Sequence, residues 1–148
     1  MWIAEVFASI QGEGQFAGTR SAFLRTSGCN LRCWFCDTPE TSWRPRGDHR
    51  EWEGLVEQIA DLECEHVVVT GGEPMLQPGV VPLTRALRER GHVVTIETAG
   101  TVDADVSADL MSISPKLSNS TPVDEPAWAI RHDAIRDAPR VIERFVDD

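Results

Sequence analysis

EHVVVTGGEPMLQPGVVPLTRALRERGHVVTIET, residues 65–98, decides the architecture of this chain. EHVVVTGG reads as a buried strand: a run of β-branched residues leaves no polar face, and a glycine pair ends it. VVPLTRALRERG (80–91) reads as a helix with Pro82 in its first turn, where no N–H is needed, and Gly91 as its stop. HVVTIET (92–98) is a second strand. Strand, helix and strand in that order predict a parallel β/α unit, whose ligands gather at the carboxyl ends of the strands.

The same alternation extends in both directions. EWEGLVEQIADLE (51–63) repeats apolar residues at Trp52, Leu55, Val56, Ile59 and Leu62, a helical stripe. DLMSISPK (109–116) is a further strand, and PAWAIRHDAIRDAPRVIERF (126–145) returns to helix. Upstream, IAEVFASIQGEGQFAG and TRSAFLRTSG read as two strands joined by a glycine-rich loop. A polar loop, DTPETSWRPRGDHR (37–50), precedes the first helix. The expectation is a single α/β domain over residues 1–148. About four strand–helix alternations do not close a barrel of eight, so the predicted form is a partial (β/α) barrel, truncated at its C-terminus and open at its last strand.

There are 24 acidic against 14 basic side chains, a formal net charge of −10. Such a surface repels phosphate backbones and anionic membranes, which argues against direct nucleic-acid or membrane partners. MWIAEVFASI at the start has no basic leader, and no apolar run reaches membrane-spanning length. The expected compartment is the cytoplasm, where thiols stay reduced. Four cysteines there point to a metal or to catalysis before disulfides.

Three of the four lie in SGCNLRCWFCDT (27–38), as Cys29, Cys33 and Cys36 in a C-x3-C-x2-C pattern. Thiolates are soft ligands suited to zinc or to iron–sulfur clusters. Three from one loop could hold three irons of a [4Fe–4S] cubane and leave the fourth without a protein ligand, open to a small molecule. The alternative is zinc, with Cys33 and Cys36 as a knuckle completed by Cys29 or Cys64 and by His49 or His66. Cys64, at a helix-to-strand junction, reads as a buried structural thiol. Gly71-Gly72-Glu73-Pro74 stands where the buried strand turns, and its glycines would let a ligand approach the backbone closely.

Cysteine pattern and GGEP together resemble the radical S-adenosylmethionine (SAM) superfamily. The resemblance implies that Cys29, Cys33 and Cys36 hold a [4Fe–4S] cluster whose open iron is chelated by the amine and carboxylate of SAM. It also implies an electron transfer that cleaves the sulfonium bond to a 5′-deoxyadenosyl radical. Within the superfamily, SIQGEGQFAGTRSAFLRTSGCNLRCWFCDT (9–38) is similar to the 7-carboxy-7-deazaguanine synthase family, as are Thr70–Pro74, Glu97-Thr98 and Ser114-Pro115-Lys116 followed by LSNS. That likeness implies a lyase converting 6-carboxy-5,6,7,8-tetrahydropterin to 7-carboxy-7-deazaguanine with loss of ammonia. The product feeds the queuosine and other 7-deazapurine pathways of tRNA modification.

The resemblance also distributes roles. Phe35, Cys36, Asp37, Gly72, Glu73, Ser114, Pro115 and Lys116 would bind SAM. Ile10, Gln11, Gly12, Glu13, Arg25 and Thr70 would bind the pterin, and Thr38 would ligate a magnesium ion through its hydroxyl. Arg25 lies in an otherwise apolar strand and needs a partner, either the substrate carboxylate or an internal Asp or Glu. An electron donor such as flavodoxin and a homodimeric assembly complete the expectation.

This chain has Ala99 where the family usually carries asparagine, and family members extend past a point equivalent to Asp148. The substrate half of the site is therefore expected to be open, with Gln11 and Arg25 facing a gap. Two other readings stand beside this one. An activating enzyme for a glycyl-radical enzyme shares the cysteine pattern, and a zinc-stabilised binding module would use the thiols structurally.

Overall fold

The computed structural model describes residues 1–147. β4 (His66–Gly71) is its central strand, flanked in parallel by β2 (Arg20–Thr26) and β5 (Val93–Thr98). Val67, Val68 and Val69 are fully buried, as an uninterrupted β-branched run covered on both faces must be. β6 (Leu110–Ile113) adds to β5 in parallel. On the other side β1 (Trp2–Ile10) pairs antiparallel with β2, with Phe7 opposite Phe23 and their rings stacked 5.3 Å apart. The six-stranded order is β3-β1-β2-β4-β5-β6, where β3 is the two-residue strand Asp48–His49. β6 is hydrogen-bonded to a neighbour on one side only, so the sheet is open there, as the strand count predicts.

α1 (Trp52–Ala60) and α2 (Val80–Glu89) cover one face of this sheet. Leu55, Val56 and Ile59 of α1 and Val80, Leu83 and Leu87 of α2 pack against Ala22, Leu24, Val67, Val69, Val94 and Ile96. Each fully buried aliphatic side chain contributes roughly 1.5–3 kcal/mol of transfer free energy, so this layer dominates the fold's stability. α2 stops where the sequence predicts. Gly91, at φ 87°, lets its own N–H reach Arg88 O and the His92 N–H reach Leu87 O, satisfying two terminal carbonyls.

Two expectations need correction. The single helix predicted over 126–145 is two, α3 (Pro126–Ile135) and α4 (Pro139–Asp147). Pro139 has no N–H to donate and its ring turns Ala138 away from helical geometry, so the ladder breaks and restarts. The polar loop 37–50 is not wholly irregular either, because β3 within it pairs with Trp2 and Ile3 of β1.

Candidate active site

The carboxyl ends of β2, β4, β5 and β6 open into a cavity of about 380 Å3, roofed by the loop that carries the three cysteines. Arg25 of β2, Thr70 and Gly71 of β4, and Glu97 and Thr98 of β5 line it, with Ser112 of β6 and the Ser114 and Lys116 that follow. The loop supplies Cys29, Cys33, Phe35, Cys36, Asp37 and Thr38, and Glu13 reaches in from the β1–β2 connection. Residues almost a hundred positions apart thus share one space, because parallel strands deliver their C-terminal ends to the same edge.

Backbone contacts fasten the loop to the end of β4. Glu73 N–H donates to Gly28 O at 2.9 Å, Gly72 N–H to Thr26 O at 3.1 Å, and Gly28 N–H to Thr41 O at 2.8 Å. A β-carbon on Gly72 would collide with the Gly28 carbonyl and stand 2.7 Å from Thr41 O; one on Gly71 would meet the Thr26 backbone. The glycine pair therefore admits the protein's own loop, and its backbone also lines the cavity. Within the loop, Trp43 Nε1 donates to Cys33 O, the Arg32 guanidinium donates to Cys29 O and Leu31 O, and Cys36 Sγ lies 3.1 Å from Ser42 Oγ.

Desolvation dominates the thiol electrostatics. Burial pushes the Cys29 thiol up to about 11, against the lowering effect of the Leu31 N–H, and raises Cys33 too, against the nearby Lys116. Thiolates in such a place need a bound cation to compensate them, which fits iron. The zinc alternative lacks its completing ligands. Cys64 is buried in the core with its thiol on Leu62 O, and both ring nitrogens of His66 lie within hydrogen-bond distance of the hydroxyls of Ser21 and Thr95. His49 pairs with the N-terminus and Glu51. Among the described residues, no three His, Cys, Asp or Glu side chains converge to hold a single ion.

Not every residue singled out from the sequence reaches the cavity. Glu73 stands behind its wall, fully buried, accepting from Thr98 Oγ1 at 2.7 Å, Ala99 N–H at 2.9 Å and Met75 N–H at 3.2 Å. Its carboxylate clamps the end of β4 to the end of β5, and burial raises its pKa in spite of those donors. Gln11 does not face a gap. It is buried, with Nε2 donating to Glu97 Oε1 at 2.9 Å and Oε1 accepting from Gly12 N–H at 2.7 Å. Ile10 projects into solvent, and neither Ile10, Gly12 nor Pro115 lines the cavity.

Arg25 has the dull partner as well as the cavity: its Nε donates to Glu5 Oε1 at 2.8 Å. Its two terminal nitrogens donate to no protein group among the described residues. Ser42 and Ser112 line the cavity without having been singled out, and Glu97, matched to the family but given no role, lines it too. Ser112 was readable from period two, since it shares a strand face with Ser114.

Open sheet, cysteine loop and glycine-ended β4 are matched by the radical SAM superfamily model over residues 23–138, and the chain belongs to that superfamily. It is similar to the 7-carboxy-7-deazaguanine synthase of Rhodopirellula baltica, 54% identical over 88% of this chain and 51% of that one. The synthase of Halobacterium salinarum is 46% identical over 99% of this chain and 60% of its own. The crystal structure of QueE from Escherichia coli superposes with a TM-score of 0.68 at 31% identity, covering 78% of this chain and 60% of that one. The chain thus spans about half to three-fifths of the length of these relatives.

Proposed function

We propose that this chain forms the cluster- and SAM-binding part of a 7-carboxy-7-deazaguanine synthase, acting on 6-carboxy-5,6,7,8-tetrahydropterin. One observation carries the reading: the Arg25 guanidinium, with two nitrogens unengaged among the described residues, shares a cavity with three cysteines that no fourth protein ligand among those residues joins. A carboxylated substrate matches that planar fork, and a cluster matches those thiols.

Cys29, Cys33 and Cys36 would hold the [4Fe–4S] cluster, which supplies the electron that cleaves SAM. Phe35 and Asp37 flank the space beside it, the Gly71-Gly72 backbone floors it, and Ser114 and Lys116, 2.7 Å apart, offer a hydroxyl and a cation to the polar parts of SAM. On the substrate side, Arg25 takes the carboxylate, while Thr70, Glu13 and Glu97 present hydrogen-bonding groups to the ring. Gln11 holds Glu97 in place. Thr38, whose hydroxyl contacts Asp37 at 3.3 Å, supplies an oxygen ligand to magnesium once substrate is present. A flavodoxin-like donor, a homodimeric assembly and a cytoplasmic location belong to the same proposal. No helix of the described residues is long and apolar enough to cross a membrane.

The test is anaerobic reconstitution with iron and sulfide, followed by SAM, reductant, magnesium and the carboxylated pterin, with 7-carboxy-7-deazaguanine measured by mass. Product formation that stops when the pterin is omitted supports the reading. SAM cleavage that depends on a glycyl-radical partner protein and ignores pterin would replace it with the activase reading.

A further inference from the structure

Helix α3 touches the cysteine loop through a histidine that lies outside the lining of the cavity. His132 is fully buried, and both ring nitrogens are engaged. Nδ1 accepts the backbone N–H of Arg32 at 3.1 Å, inside the loop between Cys29 and Cys33. An accepting Nδ1 leaves the proton on Nε2, which lies 2.8 Å from Ser120 Oγ and donates to it. Ser120 passes its own proton on to Leu117 O at 2.6 Å, and its carbonyl accepts the Trp34 N–H between Cys33 and Cys36. The same helix places Trp128 under the Arg32 guanidinium, 4.1 Å from ring centroid to Cζ.

We propose that His132 is a positioning residue for the cluster loop, a neutral imidazole that ties α3, the cysteine segment and the segment carrying Ser114 and Lys116 into one rigid unit. Each end of the ring holds a different wall of the cavity. On one side is a peptide N–H next to Cys33; on the other is the Ser120 turn, which fixes the course of the chain after Lys116. Cys33 lies between the Arg32 and Trp34 N–H groups that these anchors hold, so the imidazole sets how that thiol faces a cluster relative to the groups that face SAM. Without an acceptor at Nδ1, the Arg32 N–H would lose its partner where the loop meets α3, a cost that the loop can relieve only by moving. Two further observations agree. Burial lowers the pKa of His132, in keeping with a neutral ring, although Asp133 opposes the shift. No other polar group is asked of the ring, so its hydrogen-bonding capacity is used completely.

The inference rests on superfamily membership alone and not on the pterin reading, so its readouts contain no pterin. His132→Leu fills the volume without an acceptor; His132→Asn restores an amide oxygen near the place of Nδ1. The reconstituted chain is assayed for iron content, for the electron paramagnetic resonance spectrum of the reduced cluster with and without SAM, and for SAM affinity. His132→Leu should lose cluster or SAM affinity on the order of 10–100-fold, the usual effect of removing an outer hydrogen bond at a metal site. It should also lose the spectral change on SAM addition, and His132→Asn should recover both.

Wild-type spectra and affinity in His132→Leu, or an Asn variant as impaired as the Leu variant, would overturn the proposal. Should His132→Leu fail to fold, Ser120→Ala decides. An altered SAM-dependent spectrum supports the link, and an unchanged one removes it. The tautomer is tested without any substitution, by nitrogen–proton correlation spectra of histidine-labelled, oxidised protein. A proton on Nε2 alone agrees with the proposal, and a proton on Nδ1 contradicts it.

Discussion

The carbonyl oxygen of Gly28 accepts the Glu73 N–H at 2.9 Å and occupies the space into which a β-carbon of Gly72 would project. One atom therefore links the turn before the cysteines to the turn after β4. The cavity owes its shape to that crossing, because the cysteine loop can lie over the strand ends only as closely as the two backbones approach.

Gly72→Ala should therefore damage the site from within the protein. The clash is with two carbonyl groups and cannot be relieved by rotating a side chain. A loss of about 1–3 kcal/mol in unfolding free energy is expected, together with poor iron retention. Gly54→Ala is the control. Its β-carbon meets nothing within 4 Å on α1, and the variant should gain about 0.5–1 kcal/mol by chemical denaturation.

Alanine at Cys29, Cys33 or Cys36 should each abolish the cluster. Cys64→Ala should keep it and cost about 1 kcal/mol from a small core vacancy. Iron and sulfide counts after anaerobic reconstitution check both halves. Cluster loss in Cys64→Ala, or survival in Cys33→Ala, would reverse the ligand assignment.

Glu73 gives a pH dependence with a definite sign. Burial lifts its folded-state pKa above the ordinary value near 4.5, opposed by its three donors. A raised folded pKa means that the group's contribution to stability is full below the unfolded value and is lost as pH rises through the folded one. Wild-type stability should fall relative to Glu73→Gln as pH increases from about 4 towards neutrality, measured by urea denaturation of cluster-free protein. A difference that is flat or grows with pH would contradict the direction of the shift.

Arg25 should matter more for binding than for stability. Its pair with Glu5 is partly exposed, 23% and 52% for the two side chains, and such pairs contribute about 0.2–1 kcal/mol. Arg25→Ala should melt close to wild type yet raise KM for a carboxylated substrate tenfold or more, about 1.4 kcal/mol of lost pairing. Arg25→Lys should restore little, since an ammonium cannot bind a carboxylate with two parallel bonds. An unchanged KM would leave the carboxylate without its assigned partner.

Local chemistry was legible in the sequence wherever a short range sufficed. The valine run of β4, the Gly91 stop of α2 and the apolar stripe of α1 each reflect forces acting within a few residues: burial of a pleated face, positive φ, and helical periodicity. The three-thiol spacing was legible for the same reason, because one loop contains all of it. What tertiary structure decided was which polar groups remain available. Gln11, Glu73 and His132 carry side chains suited to ligands, yet the fold commits them to Glu97, to Thr98 and Ala99, and to Arg32 and Ser120. Arg25 and the loop thiols keep free valence in the cavity. A hydrogen bond between residues a hundred positions apart leaves no periodic trace along the chain, so only the packed structure separates a group that can meet a ligand from one already satisfied by the protein.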